Sequence, residues 1–119
     1  MSTVTVPKTS VLYTPLAPTP HSWPADLLAF AHKHDVERVL EPMREVTHRL
    51  FPMARDIRVF LEQDLADPTW WDIVFEVWVA TDEYQQCRAL RFSWIDEWYR
   101  IDPRPKMIPF VLAVRPEAE

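Results

Sequence analysis

Across 119 residues the chain contains no glycine and no asparagine. These are the residues that most readily take φ > 0, so the fold must turn its corners without them. At average usage a chain of this length carries roughly eight glycines. Phosphate-cradling loops, the dinucleotide-binding fingerprint and the nucleophile elbow all need glycine at fixed places. None can be drawn on this sequence, which shifts the expectation from an enzyme toward a partner-binding module.

The length suits one domain. A hydrophobic fraction of 48% beside 26% charged residues is ordinary for a soluble globular chain. No stretch approaches the roughly 18 apolar residues of a membrane span. The first 23 residues lack the basic start and continuous apolar core of a secretory signal. A formal net charge of −5 argues against nucleic acid as a direct partner. The single cysteine, Cys87, allows no internal disulfide, and a cytoplasmic protein is expected.

Three compositional units follow one another: an extended proline-rich arm over 1–21, one α+β domain over 22–116 and a short tail over 117–119. Pro7, Pro15, Pro18 and Pro20 bar helix and central strand from the arm. It nevertheless carries Val11, Leu12, Tyr13 and Leu16, enough apolar surface to lie against its own domain or a partner. From Pro24 the spacing becomes helical: Leu27, Phe30 and Ala31, then Val36, Val39, Leu40, Met43, Val46 and Leu50. Lys33-His34-Asp35 interrupts this run, Asp35 is placed to cap a second helix, and Pro42 predicts a kink or restart near Glu41.

Two segments then alternate with period two, 56–62 and 70–80, joined by a loop too long for a two-residue turn. Thr81 is placed to cap a helix bearing Cys87, Leu90, Trp94, Trp98 and Ile101 on one face, ended by Pro103 and Pro105. A last strand is expected over 107–114. The order α(α)ββαβ predicts a three-stranded sheet with helices on one face. A right-handed crossover would make the last strand parallel to the second. Whether it lies beside the first or the second strand is open at this stage.

Candidate chemistry is sparse. Glu45 and His48 could meet on one helical turn, but a single Glu-x-x-His pair in an α+β pattern reads as helix surface. His32 and His34 flank the predicted break. Cys87 sits on an apolar face, where a free cysteine is packing. Glu62, Asp64, Asp67 and Asp72 gather around the hairpin loop without the spacing or glycine of a calcium loop. No catalytic, metal or cofactor residue is assigned.

The aromatic residues carry the strongest signal: six Trp, six Phe and three Tyr. Parity puts Trp71 and Phe75 toward the helices. It puts Phe60, Val74, Trp78, Val111 and Ala113 on the opposite face, with Trp70 at its margin. A sheet covered on one side leaves that second face open. Contiguous apolar patches mark interfaces, with Trp a favoured anchor. The competing reading is internal cover by residues 11–23 or the second helix.

The segments Leu27-Leu-Ala-Phe-Ala31, Thr47-His-Arg-Leu-Phe-Pro52, Ile57-Arg-Val59, Asp67-Pro68 and Val74-Phe-Glu-Val77 resemble those of a group of short bacterial proteins. The genes of that group stand beside genes for small helical HEPN-type proteins, in a toxin–antitoxin-like arrangement. The resemblance departs from the group at Lys33-His34-Asp35, where a glycine usually breaks the first helix. It carries no catalytic signature, and it implies a cognate protein partner.

Taken together, the sequence predicts a non-enzymatic binding subunit, antitoxin-like or an oligomeric adaptor. Its partner is a HEPN-type protein or a second copy of itself, without cofactor, membrane or direct nucleic-acid contact. The interface candidates are Phe60, Trp70, Val74, Trp78, Val111, Leu12, Tyr13 and Leu16. The alternative is a small hydrolase or ligand-binding protein with its pocket between the sheet and the first helices.

Overall fold

A computed structural model describes residues 23–104 and 110–117. The element order is α1 (Ala25–Lys33), α2 (Glu37–Leu50), β1 (Asp56–Gln63), β2 (Trp71–Val79), a 3₁₀ turn (Thr81–Glu83), α3 (Tyr84–Ala89), α4 (Arg91–Ile101) and β3 (Phe110–Pro116). The chain is an α+β fold in which β2 is central, antiparallel to β1 and parallel to β3. This settles the open point, because the last strand lies beside the second. Leu12, Tyr13 and Leu16 lie outside the described residues.

Register explains the core. Ile57, Val59 and Leu61 of β1 stand opposite Val77, Phe75 and Ile73 of β2, which in turn stand beside Val114, Leu112 and Phe110 of β3. This face meets Leu27, Ala31, Val39, Leu40, Met43 and Val46 from α1 and α2, together with Cys87, Trp94 and Trp98 from α3 and α4. The helices therefore cover one face of the sheet, as period two in the strands and period 3.6 in α2 require. Trp71 does not fill this core as parity suggests; it is 38% exposed. Aromatic volume comes instead from α4, where Trp98 stacks on Phe110 at 5.2 Å and Trp94 meets Phe75 edge-on at 5.6 Å.

Several local expectations change. α2 runs through Pro42 without a restart. Asp35 is not the residue capping α2; Val36 holds that position. Asp35 instead takes φ 58°, the left-handed conformation that glycine ordinarily supplies. Arg104 holds it there, with Nη1 2.9 Å from its Oδ2 and Nη2 donating to its backbone oxygen at 2.8 Å. The same guanidinium forks onto buried Asp102 at 2.7 and 2.9 Å. That bond to Asp102 is the chief reason the Arg104 pKa rises above its ordinary value. Thr81 does not cap a helix with its hydroxyl, which donates to the Glu117 carbonyl at 2.8 Å. The single helix expected after it is two, α3 and α4, meeting at Leu90.

The glycine-free hairpin loop is built by aspartates. Asp64 Oδ1 accepts the amides of Ala66 and Asp67 at 2.7 and 3.1 Å, and Asp67 Oδ1 accepts the Thr69 hydroxyl at 2.6 Å and its amide at 3.1 Å. Side-chain carboxylates thus take the place of a backbone turn. The Thr69 hydroxyl, then its amide, hold the Asp67 carboxyl below its ordinary pKa.

Candidate protein interface

The face of the sheet turned away from the helices has one apolar row. Phe60 of β1, Val74 of β2 and Val111 of β3 lie side by side in register across all three strands. Val74 is buried, Phe60 is half-buried and Val111 is 37% exposed. The structure therefore brings three of the candidate residues together. Trp78 joins them further along β2, half-buried and opposite Arg115 of β3.

Between Val74 and Trp78 stands Glu76, only 8% exposed. A carboxylate so placed requires partners, and it has two. The Trp78 indole N–H donates to its Oε1 at 2.8 Å, and Arg115 Nε donates to its Oε2 at 2.6 Å. The indole is thereby fixed against the sheet, its ring orientation set by Glu76. A rigid aromatic group beside an apolar row is the composition of an interface anchor. Glu76 is absent from the candidates read from the sequence, although a single acid within the apolar run Ile73–Val79 is a readable signal.

Trp70 does not join the row. It lies just before β2, its indole N–H on Asp72 Oδ1 at 3.1 Å. With Trp71, Leu61 and Thr69 it lines an open cleft of about 500 Å³ against Asp26, Phe30, Lys33 and His34 of the α1 end. Both tryptophans are more than a third exposed there. Burial raises the Asp72 pKa, partly offset by the Trp70 bond.

The remaining reactive side chains are apart. Cys87 is fully buried, and burial, then the charge of Glu83, pushes its thiol pKa up. His48 lies on the exposed side of α2. Its pKa is lowered by desolvation, then by Arg44. Arg44 lies over the Trp23 ring at 4.8 Å and 4.0 Å from Glu41 Oε1. Among the described residues no group of three or more His, Cys, Asp or Glu could hold a metal ion. No described helix is long and apolar enough to cross a membrane.

No family model, curated protein or solved structure matches the chain.

Proposed function

We propose that this protein is a non-enzymatic binding subunit that docks another protein on the sheet face bearing Phe60, Val74, Trp78 and Val111. The observation that carries this reading is the apolar row crossing all three strands on the side away from the helices. The partner is the cognate helical protein implied by the resemblance to HEPN-neighbouring proteins, in an antitoxin-like pair. Trp78 is the anchor and Glu76 its positioning residue.

The test is co-purification with the product of the neighbouring gene, followed by titration calorimetry. Trp78→Ala is expected to weaken binding about thirtyfold, the equivalent of about 2 kcal/mol for a central Trp anchor. Phe60→Ala should weaken it less. Binding by the wild type that neither substitution changes would remove this face from the interface. A monodisperse monomer that recovers no partner would overturn the reading altogether.

A second reading attaches to the cleft lined by Trp70, Trp71, Phe30 and His34. It lies between the sheet and the first helix, where a small-ligand pocket would sit, and its mixed aromatic and charged lining has the make-up of one. Ligand-dependent change in tryptophan fluorescence, abolished by Trp70→Ala and untouched by Trp78→Ala, would favour it over the sheet face.

A further inference from the structure

Among the described residues, one side of the β3 backbone has no strand paired with it. β3 pairs with β2 alone and is an edge of the sheet among the described residues. Alternate residues of such a strand direct N–H and C=O groups outward, a ready template for another strand. Edges are ordinarily guarded by proline or charge. Here Phe110-Val-Leu-Ala-Val114 carries neither, and only Arg115 and Pro116 at the end break the pattern.

Beside this edge runs a groove of about 670 Å³, lined by Tyr84, Arg88, Arg91, Phe92, Ala113 and Arg115 among others. It contains three arginines and no acidic residue, on a chain whose formal charge is −5. Arg115 is engaged by Glu76, and Arg88 lies over the Tyr84 ring at 5.6 Å. Neither Arg88 nor Arg91 has a carboxylate within ion-pair distance among the described residues, and both are exposed. Phe92, at the head of α4, is 75% exposed.

We infer that the open edge of β3 takes an extended, acidic segment of a partner protein as an added strand. Main-chain hydrogen bonds to β3 would supply affinity, and side chains alternating toward the groove would supply specificity. Acidic groups would meet Arg88 and Arg91, and an apolar one would meet Phe92. The basic lining favours an acidic occupant over the segment at 1–22, which contains no Asp or Glu. This inference goes beyond the proposed sheet-face contact and does not depend on it.

The probe is a fluorescein-labelled peptide of alternating Glu and Val, eight residues long, followed by anisotropy and by amide exchange of residues 110–116. Binding with slowed exchange across β3 is expected. It should fall at least tenfold with Arg88→Glu combined with Arg91→Glu. N-methylation of one set of alternate peptide amides should abolish binding while the other set leaves it intact. A Lys-Val peptide that binds equally, or two N-methylated peptides that both bind fully, would overturn strand addition by an acidic segment. So would a dT12 oligonucleotide binding more tightly through the same arginines, or self-association that already protects 110–116.

Discussion

The indole N–H of Trp94 donates to the hydroxyl of Thr47 at 2.9 Å, joining α4 to α2 inside the core. The Thr47 hydroxyl in turn donates to the Met43 carbonyl at 2.7 Å, so both polar groups are satisfied although Thr47 is fully buried and Trp94 is 1% exposed. Thr47→Val keeps the shape and strands the indole donor. A loss of about 1–3 kcal/mol in urea unfolding is expected, the range for an unsatisfied buried group. Thr47→Ser, which retains the hydroxyl, should cost less than Thr47→Val; equal losses would show that packing alone matters.

On the opposite face, Arg115→Met removes one of the two donors to Glu76. Hydrogen bonds to charged groups contribute about 1.5–3 kcal/mol, and the 43% exposure of the Arg115 side chain places the expected loss toward the lower end. Replacing both partners, Glu76→Met with Arg115→Met, should recover much of that loss, because no carboxylate is left underpartnered. A double variant less stable than Arg115→Met would contradict this.

Asp35 tests the one left-handed corner among the described residues. Alanine there loses the ion pairs to Arg104 and Arg38 and suffers the steric cost of φ 58°; glycine loses only the ion pairs. Asp35→Gly should therefore be more stable than Asp35→Ala by about 1 kcal/mol, read from urea midpoints. Equal stabilities would mean the corner relaxes in the alanine variant.

Cys87 gives a pH signature. Its thiol ionises at higher pH in the folded state than in the unfolded chain, so the folded state keeps its proton longer. Stability from this group is present below the unfolded thiol's range and falls as pH rises above about 8.5. Cys87→Ala should flatten that decline in a series of unfolding curves from pH 7.5 to 10. Ellman's reagent should label the native protein slowly and the denatured protein completely; fast native labelling would place the thiol at the surface.

Period two in β1 and β2 and helical spacing in α2 were legible because burial on one face imposes them directly. Ile73, Phe75 and Val77 needed only parity. The fate of the tryptophans was less legible. Trp94 and Trp98 fill the core against Phe75 and Phe110, while Trp71, opposite Gln63 at the last rung of the β1–β2 ladder, lines the cleft instead. Which strand β3 joins depends on a non-local pairing that no local pattern encodes. The same pairing creates the Glu76–Arg115 contact, so those residues could be connected only once the register was known. Thr81 and Asp35 had capping chemistry, but tertiary partners, Glu117 and Arg104, claimed them first.

The corners made by Asp35, Asp64 and Asp67 in place of glycine also shape the state the chain leaves when it folds. Glycine widens the range of backbone conformations in an unfolded chain, and proline narrows it. This chain has none of the first and 12 of the second. Each glycine replaced where the native geometry tolerates it lowers unfolded-state entropy by the equivalent of about 0.4–1 kcal/mol. Over the roughly eight glycines that average usage would supply, that amounts to about 3–8 kcal/mol, comparable with the whole net stability of a small domain. Carboxylate-built turns therefore help this fold by stiffening its unfolded chain as well as by the bonds they make.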